Sequence, residues 1–202
     1  MTWLTGEEKE MPQNSPEWHA FRRKHLGASE IPSILGMDDW RKPIDVFNVK
    51  LNGEVFKGNF ATERGKTLEP IILAKFEDLH RCRLKQPVLE FPEWPTLSAS
   101  LDGWFSEEGA VVECKAPAAW KHTMALCGLV PDTYQDQLQT QMLVSGSDIA
   151  YYVSFHDTMP DEFDYAEVIV RADKKRQNQI LEVAKRFWGI VESGVWDETF
   201  GN

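Results

Sequence analysis

The chain has 202 residues, 42% hydrophobic, 27% charged and 11% aromatic, with 22 Lys+Arg against 32 Asp+Glu and a formal net charge of −10. That is the make-up of one globular domain able to bury a full core, and it excludes a disordered, collagen-like or coiled-coil chain. No apolar run reaches membrane-span length, residues Gly6 to Glu10 lack the basic and apolar regions of a secretory signal, and Cys82, Cys114 and Cys127 form no C-x-x-C pair. The expectation is a soluble, cytoplasmic, membrane-free protein without a disulfide framework, structural zinc or iron–sulfur cluster. The acidic balance also argues against a protein that coats nucleic acid through phosphate contacts. Any such contact falls to confined basic spots: Arg22 to His25, Arg41-Lys42, Arg81/Arg83/Lys85 and Lys174 to Arg176.

Residues 1–14 read as a flexible N-terminal arm. Ser15-Pro16-Glu17 then opens a helix, with Ser as N-cap, Pro at the first position and an acid in the first turn; it runs to about Leu26 and stops at Gly27. Ser29 is placed to cap a short helix ending at Gly36, and Pro43 starts another that carries Ile44, Phe47 and Leu51 and closes at Asn52-Gly53. Residues 61–80 form a long amphipathic helix with Leu68, Ile71, Ile72, Phe76 and Leu79 on one face. Strand patterns follow over 83–91, 96–105 and 110–115, the last two flanking a hairpin turn at 106–109. Next come a helix over 132–144, strands over 149–155 and 165–170, and a final helix capped by Asp173. That helix turns Ile180, Val183, Ala184, Phe187, Trp188 and Val191 inward. No repeat or linker divides residues 1–202, which read as a single α/β (α+β) domain with a central mixed, largely antiparallel sheet flanked by helices.

The chemistry concentrates in Ser100-Leu101-Asp102-Gly103 and Val111-Val112-Glu113-Cys114-Lys115. Strand alternation puts Glu113 and Lys115 on one face with Cys114 on the other, and the hairpin returns Asp102 beside them. Burying two carboxylates and an ammonium is costly unless compensated. A hard divalent cation such as Mg²⁺ compensates, taking carboxylates, a backbone carbonyl and water as ligands, and the lysine can then orient or deprotonate a water. The alternative is a surface hairpin whose Glu–Lys pair is worth little. The five histidines show no zinc spacing and no Ser or Cys partner, which argues against triad hydrolysis. Gly65-Lys66-Thr67 imitates the end of a P-loop, but Phe60 stands where its first glycine is required, so no ATP is expected. The eight tryptophans are scattered, as core residues are.

D…E-x-K on a hairpin resembles the signature of the PD-(D/E)xK nuclease superfamily, and the surrounding sequence is similar to its phage lambda exonuclease branch, the viral recombinase or alkaline exonuclease family. Trp18-His19-x-x-Arg22 with Gly27-Ala28-Ser29-Glu30 resembles the family's N-terminal block, and Gly65-Lys66-x-x-Glu69 its second. Ser100 to Gly103 and Glu113 to Pro117 resemble its catalytic core, and Tyr134-x-x-Gln137-Leu138-Gln139 the glutamine helix that follows. Leu101 stands where the superfamily name has Pro, a position that shapes the turn and supplies no ligand.

The resemblance implies a restriction-endonuclease-like core and a Mg²⁺-dependent exonuclease, with Mn²⁺ as a substitute metal. It would degrade one strand of linear double-stranded DNA from a 5′-phosphorylated end, 5′ to 3′, leaving 3′ single strands for recombination by annealing. By position, it implies Asp102, Glu113 and the main-chain carbonyl of Cys114 as metal ligands, Glu69 at the metal's edge through water, and Lys115 activating the attacking water. Arg22, Ser29, Ser100 and Gln137 would line the pocket for the 5′-phosphate. It also implies a homotrimeric ring on DNA ends and a phage single-strand annealing protein as partner, in a bacterial host. The rival readings are an endonuclease of the same superfamily and a non-catalytic DNA-end-binding module.

Overall fold

The computed structural model describes residues 4–38, 40–53 and 60–200, so the first three residues of the expected arm lie outside the described residues. In chain order the elements are β1 (Glu7–Lys9), α1 (Pro16–Lys24), β2 (Leu26–Gly27), a 3₁₀ turn (Ala28–Glu30), α2 (Ile31–Ile34), α3 (Pro43–Asn52) and α4 (Phe60–His80). Then follow β3 (Val88–Glu90), β4 (Leu97–Ser100), β5 (Gly103–Phe105), β6 (Ala110–Lys115), α5 (Ala119–Leu126), α6 (Asp132–Ser145), β7 (Ile149–Phe155), β8 (Tyr165–Arg171) and α7 (Lys174–Ser193).

The expected mixed, largely antiparallel pairing is realised as two four-stranded sheets, ordered β1-β3-β4-β2 and β5-β6-β7-β8. The pairs β2–β4 and β6–β7 are parallel and the rest antiparallel. The segment read as one strand over 96–105 therefore divides: β4 belongs to the first sheet and β5 to the second, with Leu101 and Asp102 at the crossing. Helix α6 spans the division, packing against β4 on one side and β6 and β7 on the other. Nine of its residues are buried, from Asp136 to Ser145, and a helix enclosed this fully shows no clean apolar stripe.

Local signals act where expected at several ends. Ser15 caps α1, its Oγ accepting from the Trp18 N–H at 3.1 Å, and Asp173 caps α7 by accepting from the Arg176 N–H at 3.0 Å. The larger core includes Leu26, Phe47, Leu138, Met142, Tyr152 and Phe187. A smaller one beneath α4 gathers Leu68, Ile72, Phe76, Phe105, Val112 and Val153. The buried seam of α4 follows a spacing of four, so Ile71 and Leu79 face solvent. On α3, Val46 joins Phe47 in the core while Ile44 and Leu51 stay largely exposed, and on α7 Val183 and Trp188 are only half-buried. Helix α5 was not expected; it begins without a side-chain cap and leaves Trp120 and Leu126 exposed.

The N-terminal segment is docked from residue 5 onward. The Thr5 N–H donates to the Ser145 carbonyl at 3.0 Å, β1 pairs antiparallel with β3, and Lys9 bridges to Glu90 at 2.8 Å. Its consecutive charges, Glu7-Glu8-Lys9-Glu10, hide a strand that only tertiary pairing creates. Among the described residues, no helix is long and apolar enough to cross a membrane.

Helix α6 ends at Gly146 with φ of 76°, and a Cβ there would overlap the Thr5 side chain. Gly146→Ala is therefore expected to lower unfolding stability by about 1–3 kcal/mol, read by urea denaturation.

Candidate active site

Glu113 and Lys115 share one face of β6, while Cys114 turns into the core beneath α4. The Cys114 N–H donates to Asp102 Oδ2 at 2.9 Å, which fixes the crossing between the sheets against β6. Glu113 is 1% exposed. Its Oε1 accepts from Lys115 Nζ and, at 2.5 Å, from Gln137 Nε2; its Oε2 accepts from Gln141 Nε2 at 2.5 Å. A buried carboxylate is thus held by three donors, two of them amides of α6.

Burial, with Glu113 and Glu69 nearby, pushes the Asp102 carboxyl well above its usual range despite Lys115. Glu69, half-buried on α4, is likewise pushed up, first by burial and then by Glu113. Burial alone would lower the Lys115 ammonium, but Glu113 and Asp102 outweigh it and hold the group protonated. Among the described residues, no three His, Cys, Asp or Glu side chains close into a ready-made metal cluster. In donor chemistry Asp102, Glu113, Glu69 and the Cys114 carbonyl nevertheless fit a hard divalent cation: all offer oxygen, and crowded carboxylates are what such an ion relieves.

The residues expected to line a phosphate pocket assemble alongside. Arg22 Nη2 donates to Ser29 Oγ at 3.0 Å, and its guanidinium lies 4.7 Å from the Trp18 ring centroid. Trp18 Nε1 donates in turn to Ser100 Oγ at 2.8 Å. Ser29 is not an N-cap; the turn is capped from Gly27, whose N–H donates to Glu30 at 2.9 Å. Glu30 is 3% exposed and also accepts from Lys50 Nζ at 2.6 Å, with Arg41 Nη2 at 3.6 Å. Burial pushes the Glu30 carboxyl up, but Lys50, Arg22 and Arg41 together hold it below its ordinary range. Three cations thus converge on one buried carboxylate.

Both halves meet at a cavity of about 260 Å³ lined by Ser29, Lys115, Gln137, Lys121, Tyr134 and Trp40, among others. Gln137, expected against phosphate, thus lines the cavity while its amide grips Glu113. Gln141, four residues on, shares Gln137's face of the helix and reaches the same carboxylate. Gln139 points away: its Nε2 donates to the Arg171 carbonyl at 2.9 Å and its Oε1 accepts from the Asp173 N–H at 2.8 Å, tying α6 to the start of α7. Arg64 on α4 carried no sequence signal. It donates to the Ala116 carbonyl at 2.7 Å and to Asp157 at 2.5 Å, tethering the segment just after Lys115.

Comparison with known proteins bears on this geometry. A family model described as the YqaJ-like viral recombinase domain matches residues 17–148. The chain is 29% identical over 185 residues to the uncharacterized protein YqaJ of Bacillus subtilis strain 168, covering 89% of this chain and 57% of that one. It therefore spans little more than half the length of this relative. The crystal structure of an alkaline exonuclease from Laribacter hongkongensis matches with a TM-score of 0.78 at 24% identity, covering 89% of this chain and 94% of that one. Its complex with dAMP matches at 0.79. A phage-related exonuclease from Haemophilus somnus 129PT matches at 0.63 and 15% identity, covering 87% of this chain and 99% of that one. At these identities the structural likeness shows the fold.

Removing one partner of the buried Glu30–Lys50 pair leaves the other charge uncompensated. Lys50→Met is expected to cost about 3–5 kcal/mol in urea denaturation at neutral pH. Glu30's lowered value means its share of stability is present above its ordinary 4.5 and is lost as pH falls through the folded value. The difference between wild type and variant should therefore narrow in acid.

Proposed function

The chain belongs to the YqaJ-like viral recombinase domain family, and on that premise we propose that it is a Mg²⁺-dependent exonuclease acting 5′ to 3′ on linear double-stranded DNA. The observation that carries this reading is the meeting of Asp102, Glu113 and Lys115 at β6, with Lys115 lining a cavity that Ser29 and Gln137 also line. Asp102, Glu113, the Cys114 carbonyl and, through water, Glu69 would hold Mg²⁺, with Mn²⁺ sharing the preference for oxygen ligands. When bound, such an ion lowers the pKa of water and stabilises charge on phosphoryl oxygens.

The chain's own residues do the rest. Gln137 and Gln141 keep the Glu113 carboxylate oriented, leaving the Lys115 ammonium to orient the attacking water and donate to the phosphodiester. Arg22 and Ser29 form a forked anion site, with Ser100 linked to it through Trp18; anchoring a 5′-phosphate there sets which bond reaches the cleavage residues. Gln137 bonds Glu113 and lines the cavity with Ser29, which places it between the anchored end and the carboxylates.

The family supports the wider role: a phage or prophage recombination enzyme in the bacterial cytoplasm, forming a homotrimeric ring on DNA ends and passing a 3′ single strand to an annealing protein. A ring that holds DNA by enclosure needs no basic exterior, which fits the net charge of −10.

A digestion time course with Mg²⁺ should show a linear duplex shortened from its 5′-phosphorylated strand and a closed circle left intact, with Lys115→Ala slower by roughly 10²–10⁴-fold. Cutting of the circle would instead indicate an endonuclease, and binding without any product an end-binding module. Arg22→Ala is expected to shrink the preference for 5′-phosphate over 5′-hydroxyl ends by about tenfold or more, measured as the ratio of kcat/KM values.

A further inference from the structure

Among the described large hydrophobic side chains, Trp40 is the most exposed, at 80%. It is not on a loose tip. Asp38 accepts from the Trp40 N–H at 2.9 Å through one carboxylate oxygen and from Ser33 Oγ at 2.8 Å through the other, and Ser33 is buried in α2. Asp38 and the Trp40 backbone are therefore pinned to α2 while the indole is left in water, at a hydrophobic cost that packing does not recover.

The indole lines the same cavity as Ser29, Lys115 and Gln137. That cavity also has Tyr134 in its wall, whose ring lies 5.5 Å from Lys115 Nζ and 5.1 Å from Lys121 Nζ. Tyr134 is stacked on Tyr152 at 5.7 Å, so the cationic side of the cavity is rigidly backed. The lining thus combines cations and hydrogen-bonding groups suited to a phosphate with a free aromatic face. A phosphate alone has no use for the second feature, whereas a nucleotide uses both.

We infer that Trp40 is a nucleobase platform, stacking on the base of the nucleotide whose phosphate is held in the Lys115 cavity. The inference rests on the nuclease reading and deepens it: the site takes a whole terminal nucleotide of either sequence, since every base has a π-face. Trp40 then fixes the terminal base while the polar side fixes the phosphate.

Calorimetric titration tests this with two probes, deoxyadenosine 5′-monophosphate and 2-deoxyribose 5-phosphate, in Mg²⁺ buffer; neither contains a phosphodiester to cut. Wild type is expected to bind the nucleotide roughly tenfold or more tightly than the base-free sugar phosphate. Trp40→Ala should lose most of that ratio while keeping its affinity for the sugar phosphate, and Trp40→Phe should restore part of it. Trp120→Ala, which removes an exposed tryptophan from α5 outside the cavity lining, should leave the ratio unchanged. A Trp40→Ala ratio equal to wild type overturns the platform and leaves the nuclease reading standing. Failure of wild type to bind either probe overturns the cavity as a phosphate site, and the platform with it.

Discussion

A carboxylate at 1% exposure inside a sheet must be given hydrogen-bond donors or its burial is costly, and Glu113 imposes that requirement on everything around it. Lys115, two residues along the strand, meets part of it, and the other two donors come from outside the sheet. This is why a helix carrying glutamines four residues apart lies between the two sheets, where an apolar helix would be expected. The helix must in turn be held to its register. Asp136 accepts a two-pronged contact from Arg176 at 2.7 and 2.6 Å, and Gln139 bonds the corner before α7. The last helix of the fold therefore supports the orientation of one acid on β6.

The cluster beside the proposed anion site follows the same logic with the signs reversed. Arg22, Arg41 and Lys50 would repel one another if brought together without compensation, and the buried Glu30 supplies it. Arg22, one of those cations, also donates to Ser29, so the buried carboxylate that gathers the cations also positions the Arg22–Ser29 pair.

Much of this was readable from local patterns. The hairpin at 106–109, the strand 149–155 and the caps Ser15 and Asp173 depend on neighbours a few residues away, and they occur where the sequence places them. Alternation also put Glu113 and Lys115 on one face. What escaped is non-local. Alternation continues unbroken through Ser100 and Gly103, so nothing in it records that the chain changes sheets there. Spacing puts Gln137 and Gln141 of α6 on one face and Gln139 on another without recording what each face meets, and Arg64 acquires its partners only when α4 meets the ends of β6 and β7. Trp40 was grouped with core tryptophans because residue type says nothing of exposure.

The position of Asp102 at the change of sheets makes it a fastener as well as an acid. Its carboxylate accepts from the Cys114 N–H, and the residue before it is held at both backbone groups, Leu101 N–H to the Pro87 carbonyl at 3.0 Å and Leu101 carbonyl to the Gln13 amide at 2.8 Å. Replacing Asp102 with alanine deletes an acidic ligand candidate and frees a backbone amide of β6 together. An inactive protein made that way is consequently a poor decoy for trapping bound DNA, because its architecture is altered along with its chemistry. A decoy altered at Lys115, whose ammonium bonds a side chain and no backbone group among the described residues, keeps the seam between the sheets closed.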